Sequence, residues 1–598
     1  MLERRTRIIC TIGDLRKDIE RKSSVCDAAY REAVKRRLEA DIFTFVKAGM
    51  NVARINMAHY KIDQEVARYS DKDYLRDLIR TVREVSRKLE KPVAIMGDIQ
   101  GPKVRIAGLA TEKDLQPVIG KKAATSTALL KKEFLDQPIE GIPNECLRVE
   151  VSHEGNFDFV RDIKENHICK RKPIEIHIGE KGPVLKVVDF ISNGKGILCE
   201  TIEGGKIKNR DGMSVKNSRI KPGDYDLKYY PKDQIDLEFL LKDNDAASGE
   251  DTLLVDVIAL SFVRSNVDIH NVQNSIRKIL RPDEISKRFG RQYFPIISKI
   301  ETQEGVDDIR RGGGILEDSY GIMVARGDLG LYCPIKEVAK YQKDIIRMCR
   351  RREKPVIVAT EMLDRMILQA DPSRAESTDV FNAVCDGADA LMLSGETATG
   401  KYRRASVEMM NAIIKVAEKH LEQERENEYR RVQLQRRIVE AFRYAWRDVR
   451  NLWKKDRVKF QEEKGKLDIR EDAHHIAYSA CELASQLRCS AIIALTRSGG
   501  TARLIARYRP ETRIIAGVYY QNLANILMLS YGVEPVVVEE DACTVEEQFA
   551  LFRKIAGQVD LPTEPKWSSR RVVAVSGSPL RTPGITNYLH ILHYDRIS

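Results

Sequence analysis

No stretch of this 598-residue sequence holds the roughly eighteen consecutive apolar residues that a membrane-spanning helix needs. The N-terminal stretch MLERRTRIICTIGD has charge but only a very short apolar run, so neither export nor a membrane partner is expected. The eleven cysteines are scattered, with no C-x-x-C pair and no Cys/His cluster at zinc spacing. Structural zinc is thereby disfavoured, and the thiols read as reduced, as in a cytoplasmic protein. No nucleic-acid-binding module is recognisable. The formal charge of +12 would suit anionic ligands, phosphates among them, but acids are interspersed with the basic residues nearly everywhere. Nucleic acid is therefore not expected as a partner.

What the sequence does hold is a rhythm. Eight short apolar runs, RIICTI, NVARINM, PVAIMGD, LLVDVIALSFV, PIISKIE, GIMVARGD, PVIVATEM and ALMLSGE, mostly alternate with segments of helical periodicity such as YLRDLIRTVREVSRKLE and EVAKYQKDIIRMCRRRE. Fully apolar strands mean a parallel sheet covered on both faces, and eight strand-helix units predict a (β/α)8 TIM barrel of the α/β class. Between the third and fourth runs, PIEIHIG and PVLKVVDFI alternate with glycine turns, which predicts a small antiparallel insert. The expected division is a barrel over 1–106 and 220–420, an inserted β-rich lid over 107–219, a charged helical insertion over 421–470 and a C-terminal open α/β domain over 471–598. In the charged insertion Phe442, Tyr444, Trp446 and Trp453 interleave with arginines. It reads either as a partner-binding helix or as a long helix with one packed face.

In such a barrel the chemistry gathers at the C-terminal ends of the strands. Polar residues stand there: Arg54 and Asn56, Asp98, Lys299 and Glu301, Asp328, Thr360, Ser394 and Glu396. Lys299 and Glu301 are two apart and share one face of an extended strand, which fits a structural ion pair or a reactive site. Glu301 and Asp328 offer hard oxygens suited to Mg²⁺ or Mn²⁺, while Lys299 and Arg54 are donors for a phosphoryl or carboxylate group. Phosphoryl transfer needs little beyond such positioning and charge neutralisation. GETATGKY, residues 395–402, has the G-x-x-x-x-G-K spacing of a phosphate loop, but Tyr402 stands where the metal-binding hydroxyl belongs. RRGGGIL, residues 310–316, lacks a nucleotide fingerprint and reads as a mobile turn.

The stretches AGMNVARINMAH, GDIQGPKVR, IALSFVRS, IISKIETQEGVDDI, GIMVARGDLG, KPVIVATEMLDRM, RAESTDVFNAVCDGADALMLSGETATGKY and TARLIARYRP together resemble pyruvate kinase. The resemblance covers the barrel and the C-terminal domain, is weak in the insert, and is absent from the charged stretch and from residues 15–41. It implies transfer of the phosphoryl group of phosphoenolpyruvate to ADP, giving pyruvate and ATP, with Mg²⁺ or Mn²⁺ as cofactor and a homotetramer as the assembly. Carried over by motif, Arg54 holds the transferring phosphate, Lys299 meets its transition-state charge, and Glu301 and Asp328 bind the divalent ion. The backbone around Ala325, Gly327 and Asp328 and the Thr360 hydroxyl seat the substrate carboxylate, while Asn56, His59 and Arg105 meet the nucleotide.

Departures from the family pattern carry their own expectations. The family's monovalent-cation site falls on Asn56 and Asp98, but Ala58 replaces a hydroxyl ligand and Lys103 stands where the family commonly has Glu. Lys at that position accompanies K⁺ independence in the family, so the Lys103 ammonium is expected to replace K⁺. In the lid, the family's Asp-Asp-Gly becomes roughly His177-Ile178-Gly179 and its Ser-Lys-Lys-Gly becomes Asn209-Arg210-Asp211-Gly212. Either Arg210 and His177 substitute, or closure is altered. Glu361 replaces the family's usual Gln beside Thr360 and is expected to raise a neighbour's pKa or perturb proton delivery.

LTRSGGTARL leads from a strand through Thr496, Ser498, Gly499, Gly500 and Thr501 into a helix. Hydroxyls and free N–H groups there form a phosphate nest or an ordinary helix cap. By resemblance it is the loop for a phosphorylated allosteric effector, with residues 576–587 as its second wall. Two functions follow for the whole chain: an active pyruvate kinase, or a degenerate relative that binds phosphorylated metabolites or a partner with little catalysis. Intact Arg54, Lys299, Glu301, Asp328 and Thr360 favour the first; the altered lid and extra segments favour the second.

Overall fold

The computed structural model describes residues 4–19, 27–62, 69–101, 230–242, 253–450, 469–539, 544–559, 571–577 and 586–593, with the stretches 106–111, 139–141, 146–151, 174–178, 184–190, 196–203, 205–207 and 213–215 between them. Eight strands form the core: β1 (Arg7–Thr11), β2 (Val52–Asn56), β3 (Ala94–Ile99), β4 (Val257–Leu260), β5 (Ile296–Ile300), β6 (Gly321–Ala325), β7 (Val356–Ala359) and β8 (Ala390–Leu393). All pair in parallel with their sequence neighbours, and β1 also pairs with β8, closing the barrel. Each of the eight apolar runs is one of these strands. Their residues are almost all buried because the interior takes one side of every strand and the surrounding helices take the other.

The helix Asp71–Lys88 shows how the surrounding layer is specified. Ser70 caps its start by accepting the Asp73 N–H, and Tyr74, Leu75, Leu78, Ile79, Val82 and Val85 recur at helical spacing on its buried face. Between β3 and β4 a six-stranded sheet, antiparallel throughout its pairings, contains Glu175–Ile178 and Val184–Phe190 as adjacent strands. Its edge strand Met213–Val215 meets the barrel where the buried Tyr332 hydroxyl donates to the Met213 carbonyl at 3.4 Å. The charged stretch from residue 421 continues the helix that follows β8, and one helix runs Arg403–Arg450. Its side chains are described no further than Asn427, so those of Phe442, Tyr444 and Trp446, and the whole of Trp453, lie outside what the structure describes.

The C-terminal part is a five-stranded sheet in the order Val533–Val537, Arg513–Val518, Ala491–Leu495, Arg571–Ser576, Tyr588–His593. Only the last strand is antiparallel. This sheet docks on the N-terminal end of the barrel. Arg7, which opens β1, donates to the Ser530 and Val533 carbonyls, and Asp389, just before β8, pairs with Arg509 at 3.0 Å. Buried Asp256, just before β4, accepts from Asn525 at 2.9 Å. The opposite, C-terminal end is left for the site.

The loop after β8 is not a phosphate cradle. Glu396 is buried there, and its carboxylate accepts the N–H groups of Leu363 and Ser394 at 3.0 and 2.7 Å. Residues 310–316 close the helix Gln303–Arg311 at left-handed Gly312 and open the short helix Gly314–Asp318.

Among the described residues no helix is long and apolar enough to cross a membrane. The described cysteines are free thiols, all buried except the half-buried Cys385.

Candidate active site

Strand register brings the site together. Thr11 lies beside Arg54 across β1 and β2, and Asn56 beside Asp98 across β2 and β3. Buried Asp98 is the hub. Its Oδ2 accepts Arg54 Nε at 2.7 Å, and its Oδ1 accepts Lys299 Nζ at 3.3 Å and the Ser261 hydroxyl at 3.3 Å. Arg54 also donates to Thr11 Oγ1 at 2.9 Å, and Lys299 to Ser261 Oγ at 2.7 Å. Lys299 and Glu301 do form an ion pair, with Nζ 3.1 Å from Oε1, while Glu301 Oε2 accepts the Phe262 N–H at 2.6 Å. The pair is thus part of a wider charge cluster, in which each member has further partners.

Burial opposes every charge in this cluster, yet the charges are kept. It would raise the Asp98 pKa, but Lys299 and then Arg54 outweigh it and hold the carboxyl below its usual range. Burial would discharge Lys299; Asp98 and Glu301, with a smaller contribution from Asp328, overcome that and the repulsion of Arg54, and hold the ammonium above its usual pKa. The result is two desolvated cations fixed at the mouth of a barrel.

A second cluster lies on β6 and β7. Gly327 N–H donates to Thr360 Oγ1 at 2.8 Å, and that hydroxyl donates to the Ala359 carbonyl at 2.6 Å. Gly327 and Asp328 sit in the first turn of the helix Arg326–Tyr332, which begins immediately after Ala325. Thr360 and Glu361 both adopt left-handed backbone, φ +67° and +52°, which costs non-glycine residues about 1–2 kcal/mol each and is characteristic of functional loops. Arg326 holds this turn: its guanidinium donates to the carbonyls of Thr360 and Glu361 at 2.8 and 3.2 Å and is anchored by Asp379 at 2.7 Å. The Glu361 side chain points to solvent.

Divalent and monovalent ions fare differently against these donors. Glu301 and Asp328 both act electrostatically on Lys299 and on Tyr332. Burial first, and then these two carboxylates, push the Tyr332 hydroxyl well above its usual pKa. Two carboxylates in one negative region, open to further oxygens from water and substrate, fit Mg²⁺ or Mn²⁺. The K⁺ donor set is short of one oxygen and already faces two side-chain cations. Asn56 Oδ1 already accepts the Ala58 N–H at 3.2 Å, Ala58 has no side-chain oxygen, and both Asp98 oxygens are taken by side-chain cations.

Ser261, Arg326, Asp379 and Thr11 belong to the site although the sequence reading did not single them out. Ser261 could have been found, since it follows the run DVIAL directly and β4 otherwise has no polar group at its C-terminal end. Gly101 explains part of its placement: at φ +67° a Cβ there would lie 2.5 Å from the Ser261 carbonyl, so the chain after β3 crosses it closely only as glycine. Exposed His59 lies in the turn Met57–His59 that follows Asn56. Glu396 is not brought to the site, because its carboxylate is spent on loop backbone and burial raises its pKa in spite of those bonds. Lys103, Arg105, Gly179, Arg210 and most of 576–587 lie outside the described residues.

At the other end of the molecule, the helix Gly500–Arg507 starts at Gly499 without a side-chain cap. Thr496 is buried nearby, and the Thr501 hydroxyl meets that of Thr586 at 2.9 Å.

Known proteins align with both halves of this architecture. Residues 3–407 match the family model "Pyruvate kinase, barrel domain", and residues 474–592 match "Pyruvate kinase, alpha/beta domain". The chain is 32% identical to a pyruvate kinase of Staphylococcus saprophyticus over 590 residues, covering 98% of this chain and 80% of the relative. It is 31% identical to one of Clostridium acetobutylicum over 557 residues, covering 92% and 96%. A third, from Staphylococcus epidermidis, is 31% identical over 590 residues. With matches across the closed barrel, the C-terminal sheet and nearly the full length, this chain belongs to the pyruvate kinase family of phosphotransferases.

Proposed function

We propose that the chain transfers the phosphoryl group of phosphoenolpyruvate to ADP in glycolysis. The bond from phosphorus to the enol oxygen breaks, a bond to the terminal ADP oxygen forms, and the enolate takes a proton at carbon, leaving pyruvate and ATP. The observation that carries this is the pair of buried cations, Lys299 and Arg54, both held on Asp98 at the barrel mouth. Phosphoryl oxygens compete with Asp98 for these donors. Because both cations are already fixed and desolvated, charge spreading over the transferring group is met with little reorganisation. Arg54 binds the phosphate and Lys299 meets its transition-state charge. Gly327 N–H and the Thr360 hydroxyl, now bonded to each other, turn to the substrate carboxylate beside Ala325 and Asp328. Asn56, His59 and Arg105 take the nucleotide.

Glu301 and Asp328 hold Mg²⁺ or Mn²⁺, whose charge neutralises the phosphoryl and enolate oxygens when bound. Lys103 serves in place of K⁺, in keeping with a donor set that lacks a side-chain oxygen at Ala58 and already faces two cations at Asp98. Residues 496–501 take a phosphorylated effector, and the enzyme works as a cytoplasmic homotetramer. The complete cluster of Arg54, Lys299, Glu301, Asp328 and Thr360 supports catalysis over a degenerate binding role.

Coupled pyruvate formation from phosphoenolpyruvate and ADP with Mg²⁺ tests this. Lys299→Met is expected to lower kcat by at least about 10²–10³-fold, the scale of losing one fixed charge-stabilising donor. An inert parent protein would sink the proposal and favour the degenerate alternative. Rates in K⁺ and in K⁺-free tetramethylammonium buffer are expected to agree; strong K⁺ stimulation rules out the role given to Lys103.

A further inference from the structure

The chain leaves the barrel for the inserted sheet after β3 and returns at the helix Pro231–Leu241, before β4. Both roots are fixed there. Buried Asp233, in the first turn of that helix, accepts the N–H groups of Gln100 and Gly101 at 3.1 and 2.9 Å. Lys232 donates to the Met57 carbonyl at 2.8 Å. The hydrogen bond from Tyr332 to the Met213 carbonyl is made elsewhere, on the helix that follows β6, three strands round the barrel from β3. Between them lies β5, which leads through Lys299 to Glu301. The inserted sheet therefore spans the mouth, rooted on one side and held on the other.

Tyr332 ends the helix Arg326–Tyr332 four positions after Asp328, so the two stand on one face of it. Its ring meets that of Phe262 edge-on, with centroids 5.7 Å apart. Phe262 is the residue whose N–H holds Glu301, and its backbone is left-handed, φ +58°. A bulky residue keeps such a conformation only where its surroundings fix it, and the Tyr332 ring is part of those surroundings. At the other end of the side chain, a buried phenol hydroxyl needs a partner. It finds one on the strand Met213–Val215, an edge whose backbone groups are not all taken by the neighbouring strand. In register Met213 lies opposite Ile178 and Ser214 opposite His177, while Arg210 stands three positions before Met213 in the chain.

We propose that Tyr332 is a positioning residue with two separable roles: its hydroxyl seats the inserted sheet across the mouth for the nucleotide, and its ring steadies Phe262 so that the Phe262 N–H orients Glu301 for the divalent ion. The inference rests on the phosphoryl transfer proposed for this mouth and names the side chain that joins its nucleotide side to its metal side. A phenylalanine at 332 would keep the second role and lose the first. A leucine would lose both.

Those two variants test it. In Tyr332→Phe, amide hydrogen exchange across residues 213–215 of the ligand-free chain is expected to quicken about threefold to tenfold, the scale of one neutral hydrogen bond. KM for ADP is expected to rise by a similar factor, while KM for phosphoenolpyruvate and the affinity for Mn²⁺ read by isothermal titration stay at the parent values. Tyr332→Leu is expected to weaken Mn²⁺ about tenfold or more, the scale of losing a group that orients a metal ligand. Phe262→Leu, which removes the opposing ring, is expected to weaken Mn²⁺ alike and decides the point should Tyr332→Leu fail to fold. Unchanged exchange in Tyr332→Phe overturns the seating of the sheet, and faster exchange with an unchanged KM for ADP overturns its role in nucleotide positioning. Mn²⁺ binding as tight as the parent's in the leucine variants overturns the role of the ring. An inert parent sinks the phosphoryl transfer instead, and exchange and Mn²⁺ titration then still decide for or against the two Tyr332 contacts.

Discussion

The barrel carries desolvated cations at both ends, buried at one and half-buried at the other, and treats them in opposite ways. At the C-terminal mouth, Arg54 and Lys299 converge on Asp98, with Glu301 alongside, and the carboxylates keep both groups charged. At the seam between the N-terminal end of the barrel and the C-terminal sheet, half-buried Arg291, Lys354 and Arg503 repel one another without an ion pair among the described residues, and the lysine's pKa falls to about 7. Burial alone does not decide which outcome a cation meets, since the cations at the mouth are the more deeply buried and yet keep their charge. The counter-charge supplied by neighbouring strands decides it. A mouth that is already compensated can exchange one anion for another with small net cost.

Breaking the compensation at the mouth has the largest expected effect. Asp98→Asn leaves two buried cations on a neutral amide and should cost about 3–5 kcal/mol in urea unfolding at neutral pH. The sign with pH follows from the lowered Asp98 pKa. A carboxyl depressed in the folded state stabilises fully above its unfolded value of about 3.9 and loses that contribution as pH falls through its folded value. Parent and variant should therefore converge in strongly acid solution; equal stability at pH 7 would remove Asp98 as the hub.

Loosening the strained turn is the next step down. Arg326→Met frees the carbonyls of Thr360 and Glu361, and kcat/KM for phosphoenolpyruvate should fall about tenfold or more, on the scale of a lost charge-assisted hydrogen bond. Unchanged kinetics would mean that the left-handed turn is held without it.

The smallest effect sharpens the contrast at the seam. With its folded pKa near 7 and an unfolded value near 10.4, Lys354 binds fewer protons in the folded chain across that window, so its penalty shrinks as pH rises from about 7 to about 10. Lys354→Met should be more stable than the parent at pH 7 and lose that advantage by pH 10, as read by thermal melting in the absence of ligand. An advantage that stays flat with pH would exclude Lys354 as the titrating group.

Much of the mouth was legible in the sequence. Each apolar run became a strand, and Arg54, Asp98, Lys299, Glu301, Asp328 and Thr360 follow those runs because a parallel barrel sends every strand's C-terminal end to one face. Glu396 obeys the same rule and is nonetheless turned into its own loop, since the bonds that capture it come from Leu363 and Ser394. Ser261 and Arg326 were visible as residues, but their roles depend on partners 38 and 34 positions away along the chain.

The sequence by itself determined the order of strands, the face on which chemistry gathers and the chemical types gathered there, because periodicity and strand polarity are local properties of the chain. Only the tertiary structure decided which charges are paired. Asp98 meets Lys299 across 201 residues, and Arg503 meets Tyr320 across a seam between two separately built sheets. Coulomb energies and desolvation depend on distances in space that no local pattern encodes.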